Sequence, residues 1–354
     1  MHTSPDSIKT STLPRRRLRP LRAIFRLGLS LYGLAVTSGL LLGLLFGDRF
    51  TITALYHSFA QLFWLGALAL LVLALVTRSW IAALLLALPA AAFLWVYSSL
   101  LIPSPPREPL GGSTFTLLSY NIQWRRGGDY QAAIDVIRQQ NADIVALQEV
   151  SPQAARALEA AFSGRYPYLA LHPQERGFDG QAVLSRYPIV ADDFFLRGFG
   201  QQRTIITVDG TPIILYNVHL ATPLLVRDGR RRFDISMRER EVLEIVERVN
   251  REEAGARVLV VGDFNLTDRS TDYFHLTRDA GLIDAHMRRG SGLGWTWAYM
   301  PRLLPPLLRI DYLFYRPYGL NSLQMRVVLN SGGSDHQPLW GQFEIYDPTL
   351  SVTR

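Results

Sequence analysis

The 354-residue sequence predicts a layered α/β domain preceded by three membrane-spanning helices. Three observations carry this expectation. Long apolar stretches at 24–46, 58–76 and 80–102 each approach or exceed the ~20 residues that a helix needs to cross a bilayer. From Thr114 onward, short apolar runs suited to strands alternate with helix-patterned runs. Nearly every one of a set of Asn, Gln, Glu, Asp and His residues stands at or just past the end of such a strand-like run.

Residues 1–22 are polar and close on the basic cluster PRRRLRPLR. A nuclear-localisation or nucleic-acid role for that cluster is outweighed by its position against an apolar stretch, where a positive-inside flank is expected. The three stretches are apolar all round and joined by short polar links, unlike amphipathic core helices. The first, ending LLLGLLFGDRF, lacks a small-x-small cleavage site, which favours an uncleaved anchor over a signal peptide. Arg15, Arg16, Arg17, Arg19 and Arg22 are expected to hold the N-terminus in the cytoplasm, with Arg78 in the turn between spans two and three on the same side. An odd number of spans then puts everything after Ile102 on the far face of a plasma (inner) membrane. The link PSPPREPLGG reads as a short stalk, stiff at its prolines and flexible at its glycines. The resulting division is a basic cytoplasmic tail at 1–22, a membrane region at 23–103, a linker at 104–113, a folded domain at 114–347 and a tail at 348–354.

Within the folded domain, strand-like runs fall at 115–120, 144–148, 182–185, 204–208, 213–219, 258–261, 310–315 and 339–345. Helix-like runs fall at 130–140, 152–162, 235–251 and 271–280, and no internal repeat is present. The formal net charge of +7 is confined to the tail and membrane region together. Up to Pro103 there are nine basic and two acidic residues, and beyond it 28 of each. The folded domain is therefore neutral, and bulk charge gives no support for nucleic-acid binding. The absence of cysteine excludes disulfides, thiolate catalysis and Cys-ligated zinc.

The polar groups recur in five motifs. These are Asn121 in LLSYNIQW, Gln148 and Glu149 in ADIVALQEV, Asn217 and His219 in LYNVHL, and Asp263 and Asn265 in VVGDFNLT. The last is a closing pair, Arg309, Ile310, Asp311 and Tyr312 in LLRIDYLF and Ser334, Asp335 and His336 in SGGSDHQP. Strands ending side by side would gather these groups at one sheet edge. Carboxylates, amides and histidines gathered there suit a hard cation and a phosphate. An unpaired carboxylate such as Glu149 at the end of an apolar strand is costly unless it is used. Asn217 and His219 share one strand face, and so do Asp263 and Asn265.

The set resembles the endonuclease/exonuclease/phosphatase family over roughly 114–346, with GDFN and SDH as its most specific motifs. The resemblance implies two packed β-sheets flanked by helices, a four-layer sandwich of the deoxyribonuclease type, and an Mg²⁺-dependent phosphoesterase, with Mn²⁺ as an alternative ion. It makes Glu149 the principal metal ligand, with Asn121 and Asp335 beside it. It gives Asp263 the attacking water, Asn265 a phosphate oxygen and His219 the scissile phosphate, with Asn217 of the same motif in the catalytic set. His336 becomes the essential histidine, held by Asp311, as base or as transition-state stabiliser. Family substrates differ widely. A phospholipid or other lipid-borne phosphate and an extracytoplasmic DNA or RNA both remain open, as does a catalytically idle membrane scaffold or receptor. Arg186 and the run Arg230, Arg231, Arg232 read as solvated surface, with anionic headgroups as the alternative partner of the run. His172, His275 and His286 have no motif around them and read as structural or surface. Trp295 and Trp297 in GWTWAYM suit either a cleft wall or a bilayer interface.

Overall fold

The computed structural model describes residues 18–102, 105–123, 129–175, 177–227, 230–301 and 303–348. Arg15, Arg16 and Arg17 of the basic cluster lie outside the described residues, as do the side chains of Arg230 and Arg231.

The chain begins with helices α1 (Leu18–Phe46), α2 (Thr51–Val76) and α3 (Trp80–Leu101), all long and apolar enough to cross a membrane. Their shared core is built from Leu29, Val36, Leu40, Trp64, Leu86 and Phe93. The outward faces remain apolar, with Trp95 89% and Leu84 78% exposed, which is unlike a helix facing water. The guanidinium of Arg26 donates to the Thr77 carbonyl (3.1 Å), so the basic start of α1 and the α2–α3 turn with Arg78 share one end of the bundle.

Two six-stranded sheets follow. Along the chain come β1 (Ser113–Asn121), α4 (Gln131–Gln140), β2 (Ile144–Gln148), α5 (Pro152–Phe162), β3 (Tyr168–His172), β4 (Gln181–Ser185), β5 (Ile189–Arg197), β6 (Phe199–Val208) and β7 (Thr211–His219). After the hairpin β8 (Leu224–Arg227) and β9 (Arg230–Phe233) come α6 (Ser236–Arg251), β10 (Val258–Asp263), α7 (Thr271–Phe274), β11 (Ile283–Asp284) and α8 (Ala285–Arg289). The chain closes on β12 (Asp311–Tyr315), β13 (Leu320–Val327) and β14 (Leu339–Ile345). The first sheet has the order β13-β14-β1-β2-β4-β3 and the second β11-β12-β10-β7-β6-β5.

Alternation along the strands fixes the layers. Phe115 and Leu117, Ile144 and Ala146, Ile213 and Leu215, Leu259 and Val261, and Leu313 and Tyr315 meet between the two sheets. The opposite faces pack under helices: Leu118, Tyr120, Val145 and Leu147 beneath α4 and α5, and Tyr216, Val258, Val260 and Phe314 beneath α6 and α7. This is the four-layer sandwich expected. The helix expected over 271–280 is shorter: α7 stops at Phe274, and a wider π-type turn covers His275–Asp279. The stalk is also less free than its glycines suggested. The N–H groups of Leu110 and Gly112 donate to the buried Glu344 carboxylate, which ties the link to β14.

Candidate active site

The inward face of each central strand is apolar until its last residues, where it turns polar. Continuing the alternation from the core residues brings Asn121, Gln148, Asn217, His219, Asp263 and Asp311 to the same face at adjoining strand ends. Register aligns them further: Asp263 is paired with His219 on one side and with Asp311 on the other, while Asn121 is paired with Gln148. Gly262 permits this close approach, since its φ is +135° and a Cβ would stand 1.9 Å from the Val218 carbonyl oxygen.

Asp263 is the hub. Its Oδ1 accepts from the Asn265 N–H (2.9 Å) and its Oδ2 from the Asn121 amide (3.1 Å). The same Oδ2 lies 3.5 Å from His219 Nε2 and 3.6 Å from His336 Nε2. Both imidazoles thus converge on one carboxylate oxygen at distances that leave room for a tighter approach. Because a carbonyl only accepts, His219 Nδ1 donates to the Phe178 carbonyl (2.8 Å), and the Phe199 ring stacks on the imidazole at 4.8 Å. His336 Nδ1 lies 3.0 and 3.1 Å from the two Asp311 oxygens. The hydroxyl of Thr296 accepts from the Ile310 and Asp311 N–H groups, which fixes that strand start.

Burial and charge set the protonation states. Burial pushes the Asp263 carboxyl up to about 6, against the opposing pull of His336. Burial alone would lower the His336 imidazole, but Asp311 and Asp263 outweigh it and hold the group well above its ordinary 6.5. His336 is therefore an imidazolium at neutral pH, locked between two carboxylates.

Glu149 breaks the strand alternation. In an extended continuation of β2 it would face the helices. Its φ of +61° turns the chain instead, and its carboxylate accepts from the Asn121 amide at 3.1 Å. Asn121 therefore bridges Glu149 and Asp263, while its own oxygen accepts from the Gln123 N–H (3.0 Å). Asn217 shares the inner face with His219, but its amide donates to the Leu147 and Ala182 carbonyls and its oxygen accepts from Gln148. Its polar atoms stitch the two sheets behind the site. Asn265 adopts φ +50°, which Asn tolerates well, and donates to the Leu220 carbonyl (2.8 Å). Asp335 stands half-buried next to His336, and its carbonyl accepts from Ala298 N–H (3.0 Å). Among the described residues, the carboxylate and imidazole atoms grouped within 4.8 Å belong to Asp263, Asp311 and His336, a set distinct from the ligands expected of Glu149, Asn121 and Asp335.

Sequence reasoning missed several supports. Arg238 of α6 is fully buried, donating to Asp272 (2.8 Å) and to the Asn265 carbonyl (2.6 Å), so it braces the Asp263–Asn265 turn. Arg309, quoted only as part of its motif, is buried between Asp284 (2.6 Å) and Asp268 (3.2 Å). The buried charge within an amphipathic helix was the available signal for Arg238, and it needed the distant Asp272 to be read. Arg186 pairs with Asp143 at the edge of the first sheet, away from these groups.

A family model described as the endonuclease/exonuclease/phosphatase family matches residues 118–336. No match was found among curated proteins. Among solved structures, an endonuclease/exonuclease/phosphatase from Bacteroides vulgatus is 19% identical with a TM-score of 0.55, covering 66% of this chain and 99% of that one. D. rerio TDP2 complexed with single strand DNA product is 16% identical with a TM-score of 0.52, covering 66% and 99%. A third, from Beutenbergia cavernae, is 19% identical with a TM-score of 0.52, covering 66% and 72%. At such identities the likeness concerns the fold, and together with the match across the motif-bearing strands it establishes that this chain belongs to the endonuclease/exonuclease/phosphatase family.

Proposed function

We propose that this chain is a membrane-anchored phosphoesterase in which Asp263 draws a proton from the attacking water and a divalent cation, Mg²⁺ or Mn²⁺, is held beside Glu149. The observation that carries the reading is the convergence of His219, His336 and Asn121 on the single oxygen Asp263 Oδ2.

The donor set fits a hard cation. Glu149 is half-buried, and its backbone turns the carboxylate back over the strand edge. Asn121 donates to Glu149, and the half-buried Asp335 adjoins His336 in the chain. The tighter Asp263–Asp311–His336 group suits a cation less well, because its imidazolium already offsets one of the two carboxylate charges and would repel a second cation. A cation beside Glu149 would neutralise phosphate charge and ease departure of the leaving oxygen. The chain's own residues supply the rest. Asp263, ionised above about pH 6, orients the water and takes its proton. The His336 imidazolium, His219 and the Asn265 amide are aimed at the oxygens on which negative charge grows. Asp311 fixes the His336 ring and keeps it charged. Asn217, its amide spent between the sheets, acts as a positioning residue.

Anchoring rests on the three apolar helices. Arg22, Arg26 and Arg78 at one end of the bundle support a cytoplasmic orientation for that end. The folded domain docks at the opposite end, where Asp48 accepts from the Thr271 N–H (2.7 Å), and would lie outside the cytoplasm. A nuclease reading takes its support from the DNA-bound neighbour, and the neutral folded domain weighs against it.

The test is hydrolysis of bis(p-nitrophenyl) phosphate by the purified full chain with Mg²⁺. Turnover should vanish with EDTA and fall about 10²–10⁴-fold in Asp263→Ala. Near-native turnover in a folded Asp263→Ala protein would overturn the assignment, and no metal-dependent turnover of any phosphate ester would favour the scaffold reading.

A further inference from the structure

Residues 299–301 and 303–307 belong to a loop of unusual surface chemistry, with Arg302 outside the described residues. Tyr299 is 63% exposed, Leu303 77%, and Met300, Leu304 and Leu307 between 37% and 42%. Single exposed leucines are ordinary on soluble surfaces, but a cluster of exposed apolar side chains along one loop marks an interaction site. The loop is closed at its base, where the Trp297 N–H donates to the Leu308 carbonyl (2.9 Å) and the Leu307 N–H to the Trp297 carbonyl (3.0 Å).

The residues leading into this loop are pinned to the helix bundle at a depth that can be read. Arg26, Thr77 and Arg78 mark the basic end. Gln61 of α2 stands fifteen residues before Val76, or about 22 Å from that end at the α-helical rise. The apolar layer of a bilayer is about 30 Å thick. Gln61 accepts from the Trp295 indole (2.6 Å) and donates to the Leu293 carbonyl (3.3 Å). Tyr97 of α3, seventeen residues beyond Trp80 and so about 26 Å from the same end, donates to Asp268 (2.9 Å). Gly292 donates to the Leu100 carbonyl (2.8 Å). The strip 292–295 therefore sits about 4–8 Å inside the outer edge of the apolar layer, close to the interface where an indole is favoured, and the apolar loop starts four residues after Trp295.

The residues that continue this strip, 296–298, adjoin the candidate active site. Trp297 forms a β-bridge with His336, the Ala298 N–H donates to the Asp335 carbonyl (3.0 Å), and the Gln337 N–H to the Thr296 carbonyl (2.7 Å). One short stretch thus joins lipid depth, an apolar projection and the catalytic histidine.

We propose that the 299–307 loop is seated in the lipid surface and that the substrate is a phosphate ester borne on a membrane lipid, which reaches the His336 side of the cleft without leaving the bilayer. The substrate half rests on the phosphoesterase reading, whereas the seating of the loop does not. An apolar lip beside the site would be a liability to an enzyme drawing a polyanion from solution, and a neutral folded domain offers such a ligand no bulk attraction.

The chain has no cysteine, so Leu303→Cys carries a polarity-sensitive fluorophore at one position. In vesicles of phosphatidylethanolamine and phosphatidylglycerol with brominated acyl chains, the label should be quenched. A label at Ala254→Cys, on the exposed edge remote from the site, should not be. An unquenched label at position 303 overturns the seating. The double variant Leu303→Asp/Leu304→Asp, reconstituted in the same vesicles, should lose at least about tenfold of its lipid headgroup hydrolysis, since a charge is strongly disfavoured in the apolar layer. Its turnover of bis(p-nitrophenyl) phosphate should stay within about twofold, because none of the described residues of the loop makes a hydrogen bond or ion pair with Asp263 or its partners. Equal loss on both substrates would show that the loop shapes the site and not its docking. Hydrolysis of single-stranded DNA but not lipid by the native chain would overturn the substrate. If the native chain cleaves neither bis(p-nitrophenyl) phosphate nor lipid while the label is quenched, the phosphoesterase reading fails, the substrate half fails with it, and the seated loop stands.

Discussion

The two sheets contribute unequally to the site. On the second sheet His219, Asp263 and Asp311 stand side by side, all at most 4% exposed, and His336 closes over them from the final loop. On the first sheet Asn121 is buried, but Glu149 is half open and held by a backbone turn. The closed half strengthens charge–charge coupling, because low dielectric magnifies each partner's effect. The open half leaves a carboxylate accessible to an ion exchanging with solvent. Proton chemistry suits the first environment and reversible cation binding the second.

The sharpest way to break this comparison is at His336 and its partner. His336→Ala should lower turnover by about 10²–10⁴. Asp311→Asn keeps the ring and should be milder, with a pH signature. Asp263 must be ionised to act as base, so the acid limb of the rate profile should lie near its value of about 6. His336 must be charged to stabilise the developing oxyanion, so the alkaline limb follows its raised value. Removing the Asp311 charge takes away a group that raises both. The alkaline limb should therefore move to lower pH by about one to three pH units, with the acid limb following by less. Turnover of Asp311→Asn measured from pH 5 to 9 decides the matter: an unmoved alkaline limb would divorce that pair from catalysis.

The open half should respond differently. Glu149→Gln keeps the side chain's size and one acceptor but removes its charge. Activity at saturating Mg²⁺ should fall less than in the His336 variant, while the Mg²⁺ concentration giving half-maximal rate should rise by about tenfold or more. A metal titration of the two proteins reads this directly. A large rate loss at all metal concentrations with an unchanged midpoint would place Glu149 with the proton chemistry instead.

These asymmetries also explain what was legible in the sequence. Asn121, His219 and Asp263 could be read because each ends an apolar strand, and Asp311 because it opens one. Glu149 was readable as an anomaly, a charge after an apolar run, although the turn that aims it was not. The edge strands β5 and β13 escaped notice. IVADDFFLR carries two aspartates on a strand with a neighbour on one side only, and β13 has a register shift between Ser322 and Gln324 that breaks the period of two. Arg238 was hidden for another reason. In SMREREVLEIVERVNR it looks like any solvated charge, and its role depends on Asp272, which lies 34 residues away in sequence.

A third buried acid on the closed half offers the finest test, because the proposed chemistry leaves it unused. Glu241 of α6 accepts from the Ala221 N–H (2.7 Å), two residues past His219, and from the Phe199 N–H (3.3 Å), whose ring stacks on that histidine. Burial raises its pKa from 4.5 to about 7, against the opposing pull of those two N–H groups. A carboxyl whose folded value exceeds its unfolded value favours the fold most below the unfolded value, and that contribution is lost as pH rises through the folded value. Native stability should therefore decline between about pH 4.5 and 7 by at most about 3–4 kcal/mol from this group. Glu241→Gln, neutral at every pH, should flatten that part of the slope and unfold at the higher temperature of the two proteins at pH 8. Thermal unfolding of both at pH 5 and pH 8 measures it. Parallel slopes would mean that Glu241 stays ionised in the folded chain, with the two backbone donors compensating its burial. Burial on this half would then be tolerated by hydrogen bonding alone, and the raised pKa of Asp263 would have to come from its neighbours more than from its depth.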